Sequence, residues 1–308
     1  MRQLFYRLFF LKFSNKKIDH WYYRILSRII NHLYPFIFSL TEKLPSFKII
    51  PDNELNKDDK YIVSLTSFPK RIDKVWITIE SILRQTRKPD AIILWLSKVE
   101  FPDPNSLPEK LLKLKKRGLI INFCDDNIMP HKKYYYCMKE YSNANIVTID
   151  DDIIYPHTFL ENLISYQKKF PESVCCTVAR NITTNGKDNL TDYKEWKNVK
   201  ENTTPSFSLI PIGAGGVLYP PKKLHEDVFD IQVLKQLAIK TDDLWLKIMA
   251  IRNYTKTVCC SGKYNRNFVS IIGSQKNNLM ESNISGGDNN RVIHDLVDYY
   301  NVNMTILN

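Results

Sequence analysis

Short apolar runs and segments of helical periodicity alternate through the middle of the chain. Residues 61–65 (YIVSL) form an apolar run of β type, and the apolar positions between residues 75 and 83 recur at helical spacing. The same alternation predicts further strands at residues 91–96, 119–123 and 146–149 and further helices at residues 107–117 and 131–141. Four strands joined by helical crossovers indicate an α/β fold whose sheet is largely parallel and doubly wound.

In sheets of this kind, ligands bind beyond the carboxyl ends of the strands. The loops in which to look for a site therefore begin at Thr66, Ser97, Cys124 and Asp150. Further along the chain, a helix is predicted at residues 156–170 and a terminal helix from residue 286 to residue 300.

The first 45 residues are basic and rich in large apolar side chains. They hold eight Lys or Arg against two acidic residues. Their longest stretch without a charged residue, residues 29–41, is shorter than the ~20 apolar residues that cross a bilayer. We expect residues 1–52 to form an amphipathic helical extension and residues 53–308 the main domain, joined by a polar linker at residues 53–60. Residues 1–45 either lie on an anionic membrane surface or pack on the domain.

Composition limits the class of protein. The 308 residues carry 44 Lys or Arg and 33 Asp or Glu, a net charge of +11, with 44% apolar residues, 12% aromatic residues and nine glycines. This content supplies a core for one large domain or two small ones and excludes disordered, collagen-like and disulfide-scaffold proteins. No nucleic-acid partner is expected, because nothing in the chain resembles a nucleic-acid-binding module.

The six cysteines include two adjacent pairs, at residues 175–176 and 259–260, inside apolar runs. This spacing fits neither a metal site nor a disulfide framework, so we expect reduced thiols in the core. Unpaired thiols favour a cytoplasmic location, and no secretory signal peptide is evident in the sequence.

Three consecutive aspartates, Asp150, Asp151 and Asp152, follow the strand predicted at residues 146–149. Adjacent carboxylates raise one another's pKa unless a cation compensates them, and a divalent ion with oxygen ligands is a natural compensator. If the chain stays extended, Asp150 and Asp152 project to one side and can share a ligand. Alternatively, an aspartate caps the helix predicted at residues 156–170. One residue suffices for a cap, so the trio favours a ligand site.

The aspartate trio and five other segments together resemble the GT-A glycosyltransferases, in particular the family-2-like enzymes of bacterial surface-polysaccharide synthesis. In that family a short strand leads into a D-x-D or D-D-D motif. The resemblance covers about residues 61–252 and implies a GT-A-like, Rossmann-like domain. The other similar segments are residues 65–71 (LTSFPKR), 81–86 (SILRQT), 131–134 (HKKY), 211–219 (PIGAGGVLY) and 241–246 (TDDLWL).

The resemblance implies a role for each candidate residue. Asp152, with Asp150, would bind Mn²⁺ or Mg²⁺. The acidic pair Asp242 and Asp243 would be catalytic, with Asp243 as the base that takes the acceptor's proton. The residues implied in donor binding are Thr66, Ser67, Arg71, Lys132, Lys133, Asp150 and Asp151. The residues implied in the acceptor-side loop are Gly213, Gly215 and Gly216.

The implied reaction is a metal-dependent, inverting transfer of a sugar from a nucleotide-sugar to a glycan or lipid-linked acceptor. UDP is the nucleotide that the family uses most. A peripheral place at the inner face of the cell membrane follows only from the basic, aromatic residues 1–45, for which packing on the domain is the alternative. In such a transfer positive charge grows on the sugar ring and negative charge on the leaving phosphate. A metal, basic side chains and a separate carboxylate are therefore needed together.

Other classes of protein stay open. A nucleotidyltransferase acting on sugar phosphates shares the sheet, the aspartates and the metal, but usually has a glycine- and lysine-rich loop after the first strand, and residues 66–69 (TSFP) contain no glycine. A noncatalytic metal- or carbohydrate-binding module gives Asp243 and the glycine-rich loop no task. A hydrolase with two carboxylates is a further alternative. The structural alternatives are an N-cap by Thr241 or Asp242, and a plain turn at the three glycines.

Overall fold

The structure, a computed structural model, describes residues 16–42, 44, 47–49, 54–186, 189–199, 201–260, 268–274 and 288–307, with side chains from residue 25 onwards. Residues 1–15 of the predicted extension lie outside the described residues. The same holds for Asn53 in the predicted linker and for Gly286 and Gly287 at the start of the predicted terminal helix.

The described residues form helices and strands that alternate along the chain. The α-helices are α1 (Lys16–Thr41), α2 (Val75–Leu83), α3 (Glu109–Lys115), α4 (Lys132–Glu140), α5 (Phe159–Lys169), α6 (Ile231–Leu237), α7 (Asp242–Arg252) and α8 (Asp288–Tyr299). The strands are β1 (Tyr61–Thr66), β2 (Ala91–Ser97), β3 (Leu119–Cys124), β4 (Asn145–Thr148), β5 (Ile153–Ile154), β6 (Val174–Cys176), β7 (Ala179–Asn181), β8 (Lys197–Asn198), β9 (Leu209–Pro211), β10 (Val217–Tyr219), β11 (Thr257–Cys259) and β12 (Val269–Ser270).

A seven-stranded sheet organises the fold, in the order β11-β6-β10-β4-β1-β2-β3. All neighbouring strands pair in parallel except β10, which runs antiparallel between β4 and β6. The predicted α/β architecture, a mostly parallel, Rossmann-like sheet flanked by helices, is therefore confirmed. The chain runs outward from β1 to β3 and then places β4 on the other side of β1. Ligand crevices in such sheets open where the strand order reverses, which here is between β1 and β4.

Apolar side chains cover both faces of the sheet. Successive strand residues point to opposite faces, so Ile62 and Val63 of β1 belong to different buried clusters. Helices α1, α2, α3 and α5 pack on the face that carries Val63, and α4, α7 and α8 pack on the other face. Two small sheets, β5 with β12 and β7 with β8 and β9, lie beside the main one.

The helix predicted at residues 156–170 begins three residues later than expected, at Phe159. The end of α2 explains the delay. The side chain of Gln85 donates to the carbonyl of Pro156 and accepts from the amide of Leu160, so it satisfies the helix start from outside. The SILRQT segment therefore has a structural task, which is to hold the chain that leads from the aspartate trio into α5.

Helix α1 packs one of its faces on the domain. Leu26, Ile30 and Phe38 are buried in the core shared with β1 and α2. The guanidinium of Arg84 lies 4.5 Å from the ring centroid of Phe38 and donates to its carbonyl. The described part of α1 is therefore integral to the core on this face.

A second face of α1 is apolar and exposed. Four of its residues recur on that face at helical spacing and form what we call the apolar stripe. The stripe comprises Ile25, Ile29, Phe36 and Leu40, whose exposed fractions are 37%, 45%, 62% and 67%. Among the described helices, none has both the length and the apolar character that crossing a membrane requires.

All six cysteines are buried and none forms a disulfide, as the sequence predicted. Cys176 of β6 and Cys259 of β11 lie opposite each other on one face of the sheet, and Cys175 and Cys260 lie on the other face. Burial raises the pKa of Cys260 to about 12, so this thiol stays protonated at neutral pH.

Truncating Ile30 should test the packing of α1. Ile30→Ala should lower the free energy of unfolding by about 2–4 kcal/mol, because it removes a side chain that is only 2% exposed. Phe36→Ala, in the apolar stripe of the same helix, should change it by less than ~0.5 kcal/mol. Urea denaturation measures both variants, and equal losses would contradict the docked orientation of α1.

Candidate active site

The aspartate trio lies at the reversal point of the sheet, just beyond the carboxyl end of β4. β4 ends at Thr148, and Asp151 and Asp152 form a turn. The expected extended geometry, with Asp150 and Asp152 on one side, is therefore wrong. Asp150 points toward α4, whereas Asp151 and Asp152 share a cation from the loop after β1.

Arg71 is the cation shared by the last two aspartates. Its Nη1 lies 2.8 Å from Oδ1 of Asp151 and 3.2 Å from Oδ2 of Asp152. Ser67 donates to the other oxygen of Asp151, at 2.6 Å. Ser67 and Arg71 were predicted as donor-binding residues, and the structure brings both to the trio. Thr66 instead donates to the carbonyl of Trp95 and joins the ends of β1 and β2.

Two residues that sequence reasoning missed hold the backbone of the trio. Thr78 of α2 donates to the carbonyl of Asp151 at 2.9 Å. The buried hydroxyl of Tyr155 accepts from the amide of Asp150 and donates to the carbonyl of Ala214, both at 3.0 Å. Tyr155 thereby connects the trio to the glycine-rich loop. No motif in the sequence distinguishes these two residues from other buried side chains.

Lys133 connects the trio to the second acidic group. It is 4% exposed, and its Nζ lies 2.8 Å from Asp150 and 2.9 Å from Asp242 at the start of α7. Although burial opposes its charge, Asp150 and Asp242 raise the pKa of Lys133 well above its ordinary value. Lys133 is therefore a permanent cation between the two groups.

The two carboxyls at the start of α7 have opposite protonation tendencies. Burial opposes the ionisation of Asp242, but Lys133 and His131 hold its pKa below the ordinary value. For Asp243, burial and then the charge of Asp242 raise the pKa to about 8. Carboxyl pairs whose pKa values are pushed apart commonly divide acid–base roles between them. Here Asp242 is the ion-paired member, and Asp243 is poised to exchange a proton near neutral pH.

The glycine-rich loop contacts Asp243 directly. The amide of Gly213 donates to Oδ1 of Asp243 at 2.9 Å, and a Cβ at this position would lie 2.9 Å from that oxygen and 3.3 Å from Nζ of Lys133. Gly216 has φ +83°, and a Cβ there would meet the ring of Phe159 at 2.4 Å. Gly215 is tightly packed against Val178. The loop is a turn, and each glycine in it is also required by a close contact: Gly213 by Asp243, Gly215 by Val178 and Gly216 by Phe159.

The capping alternatives do not describe these acidic residues. Helix α5 has Thr158 at its N-cap, six residues after the trio ends at Asp152, and β5 lies between the two. Helix α7 has Thr241 at its N-cap, and this residue makes no side-chain hydrogen bond to the helix start. The trio is therefore not the cap of α5. At α7, Thr241 does take the N-cap position, as one alternative expected, and Asp242 and Asp243 lie in the first turn, but the ion pair of Asp242 with Lys133 gives this acidic pair a contact beyond its own helix.

Two residues of the HKKY segment lie apart from the trio. Lys132 is buried and pairs with Glu100 and Asn127, both at 2.8 Å, at the ends of β2 and β3. Its predicted role in donor binding stays a prediction. His131 bonds the carbonyl of Ala238, and burial lowers its pKa to about 4, so it carries no charge at neutral pH.

The charges around the trio are unbalanced. Five carboxyl groups, of which Asp243 keeps its proton at neutral pH, face the two cations Arg71 and Lys133. Burial together with Asp150 raises the pKa of Asp152 to about 7. The described residues contain no group of three or more His, Cys, Asp or Glu side chains that could hold a metal by itself. Mg²⁺ in phosphate-transfer sites typically takes one or two carboxylates and completes its shell with substrate phosphates and water. Asp150 and Asp152 pair with different cations, but the charge of Asp150 still acts on Asp152, so the two carboxylates are near each other and have the chemistry that an ion bound in this way requires.

No family model matches the chain, and no curated protein matches it. Solved structures that resemble it include a 4-diphosphocytidyl-2C-methyl-D-erythritol synthase, with a TM-score of 0.44, 12% identity and coverage of 71% of this chain and 95% of that one. A fragment of S. aureus TarS in complex with UDP-GlcNAc has a TM-score of 0.41 and 14% identity, and the match covers 66% of this chain and 56% of the fragment.

The mannosyltransferase PcManGT from Pyrobaculum calidifontis, in complex with GDP-Man and Mn²⁺, has a TM-score of 0.42 and 10% identity, with coverage of 78% of this chain and 66% of that one. TarS and this mannosyltransferase are GT-A-type structures. Structural similarity with such low TM-scores and sequence identities concerns the fold and says nothing about the chemistry of a site.

Replacing Asp243 by asparagine should stabilise the fold increasingly as the pH rises. Folded Asp243 keeps its proton up to about pH 8, whereas in the unfolded chain the proton leaves near about pH 4. Between these values the folded state therefore loses ~1.4 kcal/mol per pH unit from this group. Asparagine carries no charge and keeps the acceptor for Gly213.

The measurement is the Tm of Asp243→Asn and of the wild type from pH 5 to pH 9. Asp125→Asn, at a carboxylate that is 85% exposed, is the control and should follow the wild type. A stability difference that is the same at all pH values would show that Asp243 is not protonated in the fold.

Proposed function

We propose that this protein is a glycosyltransferase that moves a sugar from a nucleotide-sugar to an acceptor hydroxyl. The observation that carries the proposal is the pairing of two acidic centres across Lys133. One centre is the aspartate trio, which Lys133 binds through Asp150. The other is the acidic pair at the start of α7, which Lys133 binds through Asp242 and in which Asp243 is a protonatable carboxyl with a pKa of about 8. Glycosyl transfer needs these two things, a site for the leaving diphosphate and a separate base.

On the donor side, Asp150 and Asp152 would hold a divalent ion, Mn²⁺ or Mg²⁺, with the donor's phosphates. When bound, such an ion neutralises charge on the leaving diphosphate as a Lewis acid. Arg71 could also bind the leaving diphosphate. Its Nε donates to the carbonyl of Ser274, and its Nη1 donates to Asp151 and pairs with Asp152. Its Nη2 makes no hydrogen bond within the described residues, which leaves those N–H groups for a phosphate.

On the acceptor side, Asp243 takes the proton of the attacking hydroxyl. Gly213 occupies Oδ1 of Asp243, so Oδ2 is the oxygen that remains to accept the proton. A base whose pKa lies near the working pH is effective in such a step. A base separate from the donor carboxylates suits a single displacement, which inverts the anomeric centre. We therefore include inversion in the proposal.

The proposed substrates are a UDP-sugar and a glycan or lipid-linked acceptor of surface-polysaccharide synthesis. A nucleotidyltransferase would form a nucleotide-sugar and release pyrophosphate, whereas the proposed enzyme consumes a nucleotide-sugar and releases a nucleoside diphosphate. The released nucleotide therefore separates the two classes.

Two variants should impair different steps of the proposed reaction, one the binding of the donor and the other the transfer of the sugar. Calorimetry with Mn²⁺ and a panel of nucleotide-sugars should show metal-assisted binding to the wild type and its loss in Asp152→Asn. Asp243→Asn should bind donor as the wild type does but lose about 10²–10⁴-fold in kcat/KM, because it removes a general base. The wild-type kcat/KM should rise with pH through a pKa of about 8.

The matched control is again Asp125→Asn, which should bind and transfer normally because, among the residues that the structure describes, its exposed carboxylate pairs with Lys98 and with no other cation. No metal-assisted binding of any nucleotide-sugar by the wild type would overturn the proposal. Loss of donor binding in Asp243→Asn would overturn the assignment of Asp243 as base.

We also propose that the apolar stripe of α1 contacts an anionic membrane surface. The opposite face of α1 is already buried in the domain, so the stripe is free to bind elsewhere. Exposed Arg28 lies on the same helix, and the chain carries a net charge of +11. Apolar burial and attraction to anionic lipid then act together.

Flotation with vesicles of anionic and of neutral lipid tests this contact. The variant Ile29→Ser/Phe36→Ser/Leu40→Ser should lose most of its binding to anionic vesicles, and 0.5 M salt should weaken the binding of the wild type. Val99→Ser, at an apolar residue that is 73% exposed outside α1, serves as the control. Unchanged flotation of the triple variant would contradict a role for the stripe.

A further inference from the structure

We propose that Asn31 of α1 is a positioning residue for the aspartate trio, and that it acts through residues 268–274, which we call the strap. Helix α1 then has a second task besides any contact with a membrane. It fixes the donor side of the candidate site from outside the sheet. The proposal deepens the proposed function and depends on it only where a ligand is measured.

Asn31 holds the strap with both ends of its side-chain amide. Its Nδ2 donates to the carbonyl of Ser270 at 3.0 Å, and its Oδ1 accepts from the amide of Ile272 at 2.8 Å. Nδ2 also donates to the carbonyl of Ser27 within α1, which fixes the orientation of the amide. An asparagine amide offers a donor and an acceptor side by side, so it pairs with the backbone as a neighbouring strand would.

The strap in turn holds the donor side at two points. The amide of Ile271 donates to the carbonyl of Asp152 at 2.8 Å. The carbonyl of Ser274 accepts from Nε of Arg71 at 3.0 Å, and Arg71 is the cation that Asp151 and Asp152 share. The residue between the two groups that Asn31 binds is therefore the one that binds Asp152.

Further contacts show that the strap is a defined layer between α1 and the site. β12, within the strap, pairs with β5, which follows Asp152 directly. The ring of Phe268 lies 5.6 Å from the ring of Tyr155, whose hydroxyl binds the amide of Asp150. Lys74 donates to the carbonyl of Ile272 at 2.6 Å, close to the amide that Asn31 binds.

The chain of contacts from Asn31 to Asp152 is short. It runs from the Asn31 side chain to Ser270 and Ile272, along the backbone to Ile271 between them, and from there to the carbonyl of Asp152, and each non-covalent contact is a hydrogen bond of ordinary length. Donor binding depends on where the carboxylate of Asp152 and the guanidinium of Arg71 lie, and small displacements of such groups are costly. Loss of Asn31 should therefore weaken donor binding and leave the base, Asp243, unaffected.

Hydrogen–deuterium exchange tests the positioning without any ligand. Asn31→Ala should speed exchange in peptides that cover residues 268–274 and also in peptides that cover residues 150–155. His32→Ala, at the next and exposed residue of α1, should match the wild type in both. Faster exchange in the strap alone, or in neither segment, would overturn the proposal. If Asn31→Ala does not fold, Lys74→Met replaces it, because Lys74 binds the same strap residue.

A ligand measurement separates positioning from a general loss of stability. Asn31→Ala should bind the nucleotide-sugar with Mn²⁺ roughly five- to tenfold more weakly, with kcat near that of the wild type. In the double variant with Lys74→Met, the losses should not add, because both residues act on one strap. Equal falls in kcat and donor affinity in Asn31→Ala, or fully additive losses of affinity in the double variant, would overturn the positioning role of Asn31. If the wild type binds no nucleotide-sugar, the proposed function fails while the exchange experiment still decides the role of Asn31.

Discussion

The buried ammonium of Lys133 holds together two acidic segments that would otherwise repel each other. It pairs with Asp150 after β4 and with Asp242 at the start of α7. Burying these charges is costly, and only close pairing offsets the cost. The pairing also sets the protonation of the two carboxyls at the start of α7. Lys133 keeps Asp242 ionised against the cost of burial, and the charge of Asp242 then adds to burial in raising the pKa of Asp243. The proposed division of the site into a donor side and a base depends on this one side chain.

The direction of β10 explains how the glycine-rich loop reaches the same place. β10 is the strand of the main sheet that runs opposite to its neighbours, so its amino end lies at the edge where β4 and β6 have their carboxyl ends. The turn at Gly213–Gly215, just before β10, is thereby delivered next to Asp243. An all-parallel sheet would have placed this loop at the far edge, away from both acidic segments.

The sequence predicted the first four strands, the helices between them and the edge at which the site lies, because long periodic segments and apolar runs carry that information. It did not predict β6, β10 or β11, since strands of three residues are too short to show a period. For the site, it found the acidic segments but expected a metal alone to compensate the trio. Arg71 and Lys133 already do so in part, and their pairing depends on contacts between residues 17 to 109 positions apart. Thr78, Tyr155 and Asn31 act through backbone groups, which leave no motif.

The hydroxyl of Tyr155 couples two loops of the candidate site. It joins the amide of Asp150 to the carbonyl of Ala214, so the loop that would receive the acceptor is tied to the loop that would receive the donor. A shift of the first loop on ligand entry must be transmitted to the second, because a buried hydroxyl has no water to replace a lost partner. Binding of one substrate would therefore change the affinity for the other, and because such coupling is reciprocal the effect would be the same whichever substrate bound first.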